Sequence, residues 1–344
     1  MADARTTSAT PKAGRPFWRD ALEPYTRPSV RRSTIDVLTS MLPVVLLVGA
    51  MYLLLGVSYL LVLALAFPTA GFLVRTFIVF HDCGHGSFLP SRRGNTWVGV
   101  LAGLFVFSPY HAWKHEHAIH HATASDLDRR GVGDVDTWTV REYAEASRLK
   151  RAEYRFMRNP FVMLCLGPFW AMAIEPRWAQ GTGRPIDRRS VVFTDIGLAA
   201  VIGLQVWFLG LGAYLLVWAP VILLAGGSGI FLFYVQHQFE DAYWQRGDDW
   251  SYADAALKGA SYLKLPKVLQ FFSGNIGLHH VHHLSARVPN YNLQAAHDDN
   301  EFFHDVPTLS LWDGVKTLRF RLYDEDGGRM VTFAGARRAL ATAS

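Results

Sequence analysis

Two long apolar blocks dominate the pattern of the chain. From 37 to 80 it runs VLTSMLPVVLLVGAMYLLLGVSYLLVLALAFPTAGFLVRTFIVF with Arg75 as the only charge, and from 190 to 236 a second block carries Asp195 alone. A bilayer core takes roughly 20 apolar residues per helix, so each block holds two crossings joined by a tight turn. The turns are expected near Gly56 and near Gly210 to Gly212, where glycine interrupts the run. Apolar runs this long are rare in soluble cores. The first block also follows a polar, basic stretch (1–35) and is far too long for the h-region of a signal peptide.

The order is therefore polar tail, hairpin, polar middle, hairpin, polar end. It predicts an all-α integral membrane protein with four transmembrane helices in two hairpins, 36–80 and 190–236. A cytoplasmic helical cap, 81–190 and 237–344, would carry the chemistry, and 1–344 would form one domain. Within the middle, VGVLAGLFVF (98–107) and FVMLCLGPFWAMAI (161–174) are too short to span and are expected to lie in the interface or pack under the cap. SDLDRRGVGDVDTW is a loop by composition. The first ten residues and those after Thr332 are expected to be poorly anchored.

Charge sets the orientation. Residues 1–35 carry seven Lys/Arg against three Asp/Glu, and 81–190 carry fifteen against eleven, while the hairpin turns carry none. The positive-inside rule then puts both termini and the cap in the cytoplasm, with Arg75 snorkelling to that interface. The net charge of +5 suits an anionic lipid surface or an acidic partner and calls for no nucleic acid. Two cysteines, Cys83 and Cys165, exclude a disulfide framework, a zinc knuckle or a cysteine-held iron–sulfur cluster. Both are read as apolar packing.

The fourteen histidines are clustered. His81 and His85, in HDCGHGS at the end of the first hairpin, stand four apart, about 400° of helical turn, and so project from one side. In HEHAIHHAT, with His117 set at zero, His120 lies near −60° and His121 near +40°, whereas His115 points away; His111 and His115 are read as peripheral. In HHVHH, His279, His282 and His283 fit one arc of about 100° that also takes in Asn275, with His280 displaced. Gly274 and Gly277 weaken a regular helix there. His237 follows the second hairpin as His81 follows the first. This set is too large for one zinc, and it fits two irons that keep open positions.

HDCGHGSFLPSRRGN, HEHAIHHAT and GLHHVHH resemble the three histidine boxes of the membrane-bound fatty acid desaturases, in the forms H-x-x-x-H, H-x-x-H-H and H-x-x-H-H. DLDRRGVGDVDTWTVREY and FYVQHQFEDAYW resemble the acyl-lipid omega-6 branch, and the likeness runs from about 36 to about 320. It implies a non-haem di-iron enzyme that desaturates acyl chains of the oleoyl type. The boxes, joined by His237, would ligate the irons, and Asn275 or Gln236 would hold a water. Asp82, Glu116, Asp126 and Asp128 are the carboxylates placed to accept imidazole N–H groups.

The chain lacks a His-Pro-Gly-Gly haem motif and a dinucleotide glycine fingerprint, so electrons are expected from a separate donor, a ferredoxin or similar acidic carrier. Carotenoid ketolases and hydroxylases, and alkane or fatty acid hydroxylases, are the rival readings within the superfamily. A metal transporter is a distant one, because transporters place ionisable ligands inside their spans.

Overall fold

The computed structural model describes residues 16–178 and 183–342. Among these, four helices are long and apolar enough to cross a membrane: Val30–Leu54, Tyr59–His85, Pro185–Leu209 and Leu211–His237, here spans one to four. The all-α membrane fold is as expected, with wider hairpins. The first begins at Val30 and runs on to His85, and the second begins at Pro185. At 1.5 Å per residue each helix is about 40 Å long, against a hydrocarbon core of about 30 Å. The overshoot lets the last turns of spans two and four stand clear of the apolar layer while still helical, and those turns carry His81, His85 and His237.

The turns fall where glycine interrupts the pattern. Gly56 lies between spans one and two. Gly210 separates spans three and four at φ +87°, ψ 149°, a conformation that side-chain-bearing residues rarely adopt. Spans two and four share one buried core, with Leu73, Val74 and Phe80 from the former and Val217, Val221 and Ala225 from the latter; Val44 and Met51 of span one join it.

The two short apolar segments lie against the spans. Helix Arg92–Phe105 buries Gly99, Ala102 and Gly103 and exposes Trp97, Val100 and Leu101. Residues 162–174 form successive helical turns, two of them π, that pack on span four so closely that a Cβ on Gly226 would stand 2.7 Å from Pro168. The segment SDLDRRGVGDVDTW is irregular as far as Thr137. Two small sheets tie the cap together. Trp138–Thr139 pairs with Leu322–Asp324, which pairs with Arg329–Val331, and Tyr262–Lys264 pairs with Thr308–Ser310.

Two expectations are corrected and one lies outside the described residues. The stretch after Thr332 is anchored: Phe333–Thr342 is helical, with Ala336 buried and Phe333 against Tyr143 and Tyr154. Arg75 does not end in water. It pairs with Asp36 of span one, donates to the Phe271 carbonyl and lies over the Phe271 ring. The expectation for the first ten residues falls outside the described residues.

Candidate metal centre

Four separated elements deliver the histidines. The last turn of span two carries His81 and His85, helix Tyr110–Thr123 carries His117, His120 and His121, and span four ends on His237. The short helix His279–Leu284 carries His279, His282 and His283, and is held in place by a core of Leu278, Val281, Leu284, Val288, Leu293 and Phe303. These nine rings meet in two groups. His81, His85, His117, His121 and His282 form one, and His120, His237, His279 and His283 the other, with the donor atoms within each group no more than 4.8 Å apart.

Each H-x-x-H-H box does share a helical face, but that face straddles both groups, because successive residues on a helix point about 100° apart. His117 and His121 therefore go to the first group and His120 to the second, while His282 parts from His279 and His283. Within the groups, Nε2 atoms of His121 and His282 are 2.9 Å apart, those of His121 and His117 3.2 Å, those of His237 and His279 2.9 Å, and those of His283 and His279 3.1 Å. The groups adjoin where the His121 and His283 rings stack at 4.3 Å.

Burial, and then the neighbouring rings, hold the pKa values of His117, His121, His279, His282 and His283 well below the ordinary histidine value. Those rings are neutral and keep a lone pair. Asp82 faces His81 Nδ1 at 3.1 Å, and Asp134 faces His120 Nδ1 at 2.5 Å. A carboxylate accepting from Nδ1–H fixes the tautomer that leaves Nε2 bare. The Nε2 atoms of His120 and His85 are in fact buried with no hydrogen-bond partner, an arrangement that costs stability unless something accepts their lone pairs. Converging neutral imidazoles with orphaned nitrogens fit a transition-metal cation.

The other candidates divide. Asp82 is placed against an imidazole, and its Oδ2 accepts from the Asn290 backbone N–H and side-chain Nδ2. Asp126 is not: it binds Arg129 and the Asp128 N–H. Nor is Asp128, which lies outside in a pair with Arg246. These carboxylates sit in a loop, where spacing carries no direction. Glu116 makes no hydrogen bond to a histidine among the described residues; burial, then Glu175 and Asp187, push its carboxyl up to about 7. Asn275 leaves the arc of His279 because its backbone is left-handed at φ +60°, and its amide donates to the Asn290 carbonyl. Gln236 is buried beside the rings and donates to the Ile276 carbonyl. His111 and His115 stand outside both groups, as does His280, which bonds His297. Cys83 is buried in the core.

Three residues were missed. Asp134 lies in the same loop as Asp126 and Asp128, and no periodicity singles it out. Asn290 reaches Asp82 from far along the chain. Trp113 stacks on His117 at 4.3 Å, and its position four residues before that histidine was a readable signal.

A cavity of about 530 Å³ opens on both groups, touching His81 and His117 of one and His279 of the other. It runs between spans two and four and the 162–174 segment along an apolar wall that includes Leu73, Phe77, Ile230 and Phe233; Glu116, Asp136 and Glu175 supply polar lining. Its size and lining suit one elongated apolar ligand.

The sequence profile of the family described as fatty acid desaturase matches residues 57–306. A protein named fatty acid desaturase from Bacillus subtilis is 45% identical over 90% of this chain and 88% of its own length. An sn-1 oleoyl-lipid 12-desaturase from Picosynechococcus sp. is 27% identical over 83% of this chain and 84% of its own. An sn-1 acyl-lipid omega-3 desaturase (ferredoxin) from Synechocystis sp. is 28% identical over 64% and 62%. Likeness along nearly the whole chain, together with an apolar cavity ending on clustered imidazoles, leaves one conclusion: the chain belongs to the fatty acid desaturase family and is an oxidoreductase of fatty acyl chains.

Proposed function

We propose that the nine histidines hold two irons, five rings on one and four on the other, and that the enzyme desaturates acyl chains of a membrane lipid, oleoyl to linoleoyl, at the cytoplasmic boundary. The observation that carries this reading is the cavity that reaches both histidine groups at one end and descends between the spans. Bound iron supplies what no side-chain base can, reductive activation of O2 and removal of hydrogen from unactivated methylenes.

The chain's own residues do the positioning. Phe77, Ile230 and Phe233 hold methylenes by contact and exclude water. Asp82 and Asp134 hold the Nδ1 protons of His81 and His120, so that their Nε2 atoms face inward. Gln236, on the cavity wall with its amide nitrogen on the Ile276 carbonyl, is the residue placed to orient a water.

The omega-6 assignment is supported by the named activity of the Picosynechococcus relative. A separate ferredoxin-like donor is supported by the ferredoxin named for the Synechocystis relative and by a sequence with only two cysteines. The excess of basic residues in 1–35 and 81–190 supports a cytoplasmic histidine face.

Expression in a host rich in oleate, followed by gas chromatography of its lipids, tests the reading. A new methylene-interrupted diene is expected. A hydroxylated product, or no product from protein that holds two irons per chain, overturns it. Reconstituted turnover with an acidic donor should fall as salt rises, and a rate indifferent to ionic strength counts against the docking assignment.

A further inference from the structure

Span four carries glycines with different reasons to be there. Gly226 and Gly227 are packing positions: a Cβ on the first would stand 2.7 Å from Pro168 Cβ, and on the second 2.8 Å from the Leu164 carbonyl oxygen. Gly229 has no such reason. Its backbone is ordinary helix, and a Cβ there would meet nothing within 4 Å. Glycine in mid-helix is less stable than alanine, so this position gives up stability without gaining a contact.

What lies in the open space is the cavity, which Gly229 lines. Gly229 stands eight residues before His237, and Leu73, also on the cavity wall, stands eight before His81. Both therefore lie about 12 Å along their helices from the histidine ends. The lining continues one turn further to Ala225 and Gly226. Gly203 and Gly212 likewise have nothing within 4 Å, but they are exposed on the outside of the spans and do not line this cavity.

We propose that Gly229 is a specificity-determining residue: by presenting no side chain it keeps the cavity open below the level of Leu73, so that the methyl end of a long acyl chain can run on towards Ala225 and Gly226. A larger residue here closes that lower part and shortens the longest chain that fits. The inference rests on the acyl-chain reading of the cavity given above.

The test uses the full chain in a host whose lipids hold both palmitoleoyl and oleoyl groups, which differ by two methylenes on the methyl side of the double bond. Relative to wild type, Gly229→Leu should lower the ratio of oleoyl-derived to palmitoleoyl-derived diene at least about tenfold, in line with the discrimination available per methylene, and Gly229→Ala, which adds a single methyl, by less, about twofold to threefold. Gly203→Leu should leave the ratio unchanged. Iron content shows that each variant is assembled; if the leucine variant does not accumulate, the alanine ratio decides. An unmoved ratio, an equal loss on both chains with iron retained, or the same shift in Gly203→Leu overturns the assignment. Wild-type protein that makes no diene overturns the functional reading and this inference with it, whereas wild-type diene with an unmoved ratio overturns the inference alone.

Discussion

In the five-histidine group the supporting carboxylate, Asp82, is the immediate neighbour of His81 in the last turn of span two; in the four-histidine group it is Asp134, fourteen residues from His120 and in a loop. Asp82 is itself held by two donors from Asn290. Asp134 has the Gly131 N–H at 3.1 Å, and its loop turns through Gly131 and Gly133, both at positive φ. A Cβ on Gly133 would come within 3.3 Å of both the Glu116 carbonyl oxygen and His120 Cβ, so the loop also lies tight against the histidine helix. The same task, orienting one imidazole, is thus done once from a rigid membrane helix and once from a loop whose path favours glycine. The second is the easier to disturb.

Removing a ring should have the largest effect and should not depend on the anchor. His117→Ala or His282→Ala is expected to reduce turnover below a few per cent while insertion is unchanged. More than that, with full iron retained, would remove these rings from the ligand set. Next, Asp134→Ala should weaken metal retention about 10- to 100-fold, seen as loss of part of the iron at correspondingly lower chelator, with Asp134→Asn restoring much of it because an amide oxygen still accepts from Nδ1–H. Smaller again is Asn290→Ala. It leaves the backbone donor to Asp82 in place and should cost about 1–3 kcal/mol of stability, read from denaturation in detergent, with a milder effect on iron retention. If Asn290→Ala releases iron as readily as Asp134→Ala, the contrast between helix and loop is wrong. The smallest effect belongs to Asp128→Asn, which disturbs an exposed pair with Arg246 and a hydrogen bond from the Gly247 N–H, both away from the histidines; iron content and turnover should stay within about twofold.

The same contrast explains what could be read from the chain. Spans were legible because apolar length has one cheap solution in a bilayer, and His81, His85 and His237 were legible as the polar ends of those spans. The third box pointed to His279, His282 and His283, and these converge while His280 turns to His297. The partition was hidden: His120 and His121 are neighbours in sequence, and which group each joins depends on what stands to either side of their helix. Asp134 was hidden for a related reason. Three aspartates of one loop, Asp126, Asp128 and Asp134, look alike in sequence; each accepts from a backbone N–H, and the fold adds a neighbouring arginine, a surface arginine from elsewhere in the chain and an imidazole respectively. Asn275 failed through its own backbone, since one left-handed residue breaks the wheel on which it had been placed.

The Asp36–Arg75 pair bears on how the protein is made. An unpaired charge in lipid is costly, and this pair joins the first span to the second. Leaving the translocon one at a time would strand a carboxylate and then a guanidinium, so the two helices of the first hairpin should be released together. The remaining Asp36 oxygen accepts from Asn290, 254 residues downstream, so this polar knot closes only after Asn290 has been made. Ribosome-bound chains truncated before that asparagine should bind no iron tightly, however well their membrane segments are inserted.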